Sequence, residues 1–257
     1  MPFALGAQTA SAALIEEWSY EVNSEFSAET ETAGEIPTLS KSADNRTLSW
    51  GLNDPQSSIS ITNASASGGL FTNGDFVDGG TFTHANNQQP IEGAALESFN
   101  LTSELMLTPV DPPSDDSQSL PPLTFVNFFE ETLNNADCVT GTRPCDDIFT
   151  IENIAALGGM ETNGGFEFAA QSFTRDDYTY TVFLQLAGLT GLEDDVCAET
   201  GASPGCVGLI TEEGAVSNFD TRFRVSAASV PEPGTLALLG LGLAGLGLSR
   251  RRSSAKS

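Results

Sequence analysis

Tyr178-Thr-Tyr180-Thr-Val182-Phe-Leu184-Gln-Leu186 sets Tyr178, Tyr180, Val182, Leu184 and Leu186 on one side of an extended chain and Thr179, Thr181 and Gln185 on the other. A period of two is that of a strand with one buried and one wet face. Just upstream, Thr174-Arg-Asp-Asp177 is a connection suited to a hairpin, and Phe166-Glu-Phe168-Ala-Ala-Gln-Ser-Phe173 is the strand it would join. Working outward, similar short runs occur at residues 18–26, 47–52, 57–62, 98–108, 123–129, 147–151, 207–210 and 219–225. In the last of these Phe219, Phe223 and Val225 alternate with Asp220, Arg222 and Arg224. Turn chemistry separates the runs, as at Asn73-Gly74 and Asp78-Gly79-Gly80. Residues 28–45, acidic and rich in Ser and Thr, read as a loop. Outside the C-terminus no long segment repeats its apolar residues at helical spacing. About ten short strands predict an all-β fold, an antiparallel β-sandwich or jelly roll, with 16 phenylalanines supplying much of its core. The proline-rich stretch at residues 109–122 is either a domain boundary or a surface excursion from one sandwich.

A chain of 257 residues fits one large domain or two small ones, and a single all-β domain is the economical reading. The net charge is -25, but four basic residues (Arg250, Arg251, Arg252 and Lys256) sit at the C-terminus. Residues before Pro231 hold 34 acidic and 6 basic side chains, a net of -28. Such a body repels nucleic acid and anionic lipid, so nucleic acid is not an expected partner. Calcium, polycations and neutral glycans are the electrostatically compatible contacts, and the charge also serves solubility alone.

The four cysteines form two close pairs, Cys138 with Cys145 and Cys197 with Cys206, each in a loop rich in Gly, Pro and Asp. Short spacing favours two local disulfides. Zinc is the competing use of four cysteines, but six and eight intervening residues are more than the two to four of a zinc knuckle.

The C-terminus has three parts in order: Val230-Pro231-Glu232-Pro233, the uncharged run Thr235 to Leu248, and Arg250-Arg251-Arg252. That run of 14 residues would make a short hydrophobic helix of ~21 Å, less than the ~30 Å of a bilayer core. The arginines would hold its end on the cytoplasmic side and leave the acidic body outside. The three parts resemble the PEP-CTERM sorting signal of Gram-negative bacteria. The resemblance implies an exosortase partner, transient residence in the inner membrane, and delivery to the outer surface or extracellular matrix, where exopolysaccharide is a candidate partner. At the other end Ala10-Ser11-Ala12 reads as the small-residue cleavage site of a secretory signal, with only 12 residues before the cut and no Lys or Arg among them. We therefore read residues 1–12 as a residual signal peptide, residues 13–229 as the exported domain and residues 230–257 as the sorting signal. On this reading the mature chain starts near Ala13, and Met1 is an internal start.

The only histidine lies in Phe82-Thr83-His84-Ala85-Asn86. Thr83, His84 and Asn86 resemble the motif that names the THxN subgroup of PEP-CTERM proteins. Together with the earlier Ser49-Trp50-Gly51, they also resemble choice-of-anchor K domains. Both resemblances imply an exported β-rich domain without a defined activity. In physical terms His84 has three possible uses: bracing a turn through both ring nitrogens, contacting a metal or ligand, or acting as a base. The first requires no further partner.

No Gly-x-Ser-x-Gly elbow or other nucleophile arrangement is present, so no catalytic residue is assigned. The leading expectation is a non-enzymatic exported protein with a structural or binding role. A calcium- or carbohydrate-binding module is the alternative, resting on the oxygen-rich stretch Asn73-Gly74-Asp75 to Asp78-Gly79. That stretch matches no EF-hand spacing, so neither a metal site nor a cofactor is assigned, with calcium the one candidate ion. Glycan hydrolysis by two carboxylates is a third class, but 34 acidic residues leave the pair unselected.

Overall fold

The computed structural model describes residues 12–33, 36–90, 92–132 and 145–230. Residues 1–11 of the residual signal, Cys138, Pro231, Glu232, Pro233, the expected short hydrophobic helix and Arg250 to Arg252 lie outside the described residues. Sixteen strands and one short helix are described. The first half of the chain forms β1 (Glu17–Glu31), β2 (Ser40–Lys41), β3 (Thr47–Trp50), β4 (Ser57–Ile61), β5 (Ala64–Phe71), β6 (Val77–Ala85), β7 (Leu96–Asp111), β8 (Gln118–Ser119) and β9 (Leu123–Glu130). The second half forms β10 (Asp147–Ile151), β11 (Met160–Thr162), β12 (Gly165–Arg175), β13 (Tyr178–Ala187), β14 (Thr190–Gly191), α1 (Asp194–Glu199), β15 (Val207–Thr211) and β16 (Val216–Ser229).

One sheet runs β14-β15-β10-β9-β7-β1-β5, with β8 on the side of β7, and the other runs β11-β12-β13-β16-β6-β4-β3-β2. Every pairing between named strands is antiparallel, and the two sheets face each other as a sandwich. The alternation in β13 does what its period demands: Tyr180, Val182 and Leu186 are buried, while Thr179, Thr181 and Gln185 are not. Its hairpin to β12 turns at Asp176, whose φ of 52° is tolerated by Asp.

Between the sheets Phe26, Phe82, Phe99 and Phe149 form the middle of the larger core cluster, with ring centroids 5.1 to 6.4 Å apart. Each buried ring of this kind contributes roughly 1.5–3 kcal/mol by leaving water. A second cluster centres on Trp18, whose ring meets Tyr180 edge to face at 5.2 Å. The Tyr180 hydroxyl accepts from the Ile15 amide at 2.9 Å, so the buried ring keeps its polar end satisfied.

Three stretches depart from the sequence reading. β1 continues through Ala28 (φ 52°) to Glu31, where a loop was expected, because β7 offers sixteen residues of partner backbone. β5, Ala64-Ser-Ala-Ser-Gly-Gly-Leu-Phe71, is a strand at the edge of its sheet built from small residues that carry little alternation signal. α1 places Asp194 and Asp195 in its first turn, where acidic groups suit the helix N-terminus, and buries Val196 and Cys197. The proline-rich stretch is an excursion: β7 before it and β9 after it pair with each other in one sheet.

The disulfide Cys197–Cys206 forms, with Cα atoms 5.8 Å apart. It packs with Ala202 against Phe128 on the outer side of β9, and Thr200 reaches Thr150 of β10 at 3.0 Å. This outer layer explains why all five residues of β10 are buried. Cys145 is buried and is not a free thiol.

Candidate functional site

At one end of the sandwich β9 stops, β10 starts and β15 stops side by side, since Asp147 pairs with Thr211 and Ile148 with Glu130. From the opposite sheet β6 and β3 end above them. Alternation along β6 turns Phe82 and His84 inward and leaves Thr83 outside, where its hydroxyl donates to Asn218 Oδ1 at 2.7 Å. Asn86, next on the same side, is also buried. The three residues of the Thr83-His84-Ala85-Asn86 motif thus divide: Thr83 ties β6 to β16, and the other two enter the interior.

There His84 meets the earlier motif. The Trp50 indole stacks on the His84 ring at 5.9 Å with planes 16° apart, and Phe129 closes the pair edge-on at 5.0 and 5.1 Å. Gly51, at φ 96°, makes the turn after Trp50, and a side chain there would run into Gln89. The Trp50 Nε1–H donates to Glu131 Oε2 at 2.6 Å.

The hydrogen bonds determine the His84 tautomer. Thr211 Oγ1 donates its one proton to the Asp147 carbonyl at 3.3 Å, so it accepts from His84 Nδ1–H at 2.8 Å. Burial holds His84 down at about 4, so the ring is neutral at neutral pH and its Nε2 bears a lone pair. That lone pair faces Asp147 Oδ2 at 3.9 Å, a separation too long for a hydrogen bond, and with a neutral ring the two do not form an ion pair.

Asp147 is fully buried, and its Oδ1 accepts from the Thr132 amide at 3.0 Å. Burial first, and then the Glu131 charge, push its carboxyl well above the usual range. Glu131 is pushed up to about 7, chiefly by burial, with the Trp50 indole N–H opposing and Glu213 and Glu130 assisting. Oxygens of Glu131, Asp147 and Glu213 lie within 4.8 Å of one another. Among the described residues His84 Nε2, Asn86 Oδ1, Glu131 Oε1 and Asp147 Oδ2 have no hydrogen-bond partner.

Sequence reasoning picked out Trp50, His84 and Asn86, which the fold brings to this chamber. It did not single out Glu131, Asp147, Glu213, Thr132 or Thr211, since nothing local distinguishes three carboxylates among 34. In the stretch considered for calcium, Asn73 Oδ1 accepts from the Ala227 amide of β16 at 3.0 Å, and Asp78 Oδ1 from the Gly80 amide at 3.1 Å. Farther along the interior an apolar cavity of about 100 Å³ is lined by residues such as Leu101, Phe125, Leu184 and Phe223.

The sorting residues follow β16 without a spacer. Ser229 ends the strand, and the Val230 amide donates to the Asp177 carbonyl at 2.7 Å. Residues 229–252 match the PEP-CTERM protein-sorting motif, which supports an exported, cell-surface-targeted chain processed by an exosortase. No curated protein matches the chain.

Proposed function

We propose that this is a non-enzymatic protein of the outer surface or extracellular matrix of a Gram-negative bacterium, whose sandwich plays a structural or binding role beside exopolysaccharide. The observation that carries the reading is the sorting motif, which begins at the last residue of the last strand. A disulfide suited to an oxidising compartment and a strongly acidic body support it.

Hydrolysis of a glycan is disfavoured by the acidic chamber itself. Asp147 is wholly buried, so a sugar ring cannot reach between it and Glu131. Carboxyl oxygens within 4.8 Å are also tighter than the ~5–9 Å that glycosidase pairs leave for substrate or water.

Cell fractionation with mass spectrometry of both termini tests the reading. The expected result is a chain found outside the cytoplasm that has lost the arginine cluster. An intact chain, Arg250 to Arg252 included, soluble in the cytoplasm would overturn it.

A further inference from the structure

We propose that Glu131, Asp147 and Glu213 bind one hard divalent cation at the end of the sandwich, with His84 and Asn86 completing its surroundings. This site is separate from the turn at Asn73 to Gly79, and it does not depend on where the protein is delivered.

Four observations support it. First, oxygens of the three carboxylates lie within 4.8 Å of one another. A single ion that holds each oxygen at about 2.3–2.6 Å spans up to roughly 5 Å between ligands on opposite sides. Second, buried polar atoms converge there without a partner among the described residues, including Asp147 Oδ2 and His84 Nε2 on fully buried side chains. These two atoms lie 3.9 Å apart, too far to bond each other but close enough to contact one ion between them.

Third, Glu131, Asp147 and His84 are each held from behind. The Trp50 indole holds Glu131 Oε2, the Thr132 amide holds Asp147 Oδ1, and Thr211 holds His84 Nδ1. That leaves one inward atom on each, the pattern by which outer partners orient metal ligands. Fourth, Asp147 is buried but Glu131 and Glu213 are only half-buried, so an ion has a way in. Carboxylate oxygens favour calcium, manganese or magnesium over softer ions.

The test uses the purified full chain in detergent, stripped with a chelator and titrated separately with Ca²⁺, Mn²⁺, Mg²⁺ and Zn²⁺. Calorimetry and Trp emission are followed together, because Trp50 hydrogen-bonds a proposed ligand. A hard cation is expected to bind once per chain, raise the melting temperature and change the emission. Asp147→Asn should weaken that affinity at least 100-fold. Its melting temperature in chelator should not fall, since the uncharged amide fits the same space and keeps its oxygen for the Thr132 amide. Asp75→Asn, on the turn, should leave the affinity unchanged. If Asp147→Asn does not fold, Glu213→Gln at the half-buried rim must show the same loss. No saturable binding, binding by Zn²⁺ alone, or undiminished affinity in the chamber variants would overturn the proposal.

Discussion

At the scale of single residues, His84 and its neighbours predict how stability follows pH. Glu131 and Glu130 are each raised to about 7 from 4.5, both chiefly by burial, and burial also raises Asp147 well above its usual range. Between roughly pH 4.5 and 7 the folded protein keeps protons on these groups that the unfolded chain has released, so stability falls as pH rises. His84, lowered from 6.5 to about 4, acts in the opposite direction: the unfolded chain takes its proton first, so stability falls as pH drops through that window. Three carboxyls against one imidazole give a net decline, so in chelator the melting temperature should fall from pH 5 to pH 7.5. A scan of thermal melts checks this, and a rising curve would contradict it. His84→Ala should cost about 2–4 kcal/mol in denaturant titration, since it removes the ring under Trp50 and the donor to Thr211. That His84 and Trp50 matter could be read from short motifs around each. That they stack on each other depends on β3 and β6 both flanking β4, which brings together residues 34 positions apart that no local pattern links.

Among the elements, strands with a large apolar face were readable and those without one were not. β13 and β16 announce themselves through Tyr180, Val182, Phe223 and Val225, whereas β5 offers mainly Ala, Ser and Gly and owes its form to backbone pairing with β1. α1 escaped for a related reason: six residues are too few to show a helical period, and the turn is held by its disulfide and by Phe128. The bridge separates cysteines nine positions apart, so closing that loop stabilises by about 3 kcal/mol. Replacing Cys197 and Cys206 together by Ser should lower stability by about that amount in urea titrations while leaving the strand content seen by circular dichroism. The end of β16 sets a sharper boundary than the alternation at Phe219 to Val225 suggests. Ser226 to Ser229 still pair with Thr181 back to Tyr178. A chain ending after Val230 should therefore melt like the full body, and one ending after Val225 should melt lower, as calorimetry would show.

For the whole molecule, fold class was accessible because turn chemistry and period-two runs recur along the full length, yet the sheet order was not. The order depends on pairings such as β1 with β7, whose partners lie about 80 residues apart. The carboxylate chamber is likewise a product of assembly, made where three strand ends of one sheet meet two of the other. A body at -28 before the sorting residues repels itself. Added sodium chloride up to ~0.5 M should raise the melting temperature by screening that repulsion, and a flat response would show that local contacts dominate. The two ends of the described body also converge: the Ala12 amide donates to Asp177 Oδ2 and the Val230 amide to the Asp177 carbonyl. β16 pairs with β6 through Val216 to Phe223 and with β13 through Thr221 to Ser229. Tension applied through the tail therefore loads the β13 ladder in shear first and the β6 ladder after it, so the body resists being peeled open by whatever draws on its C-terminus.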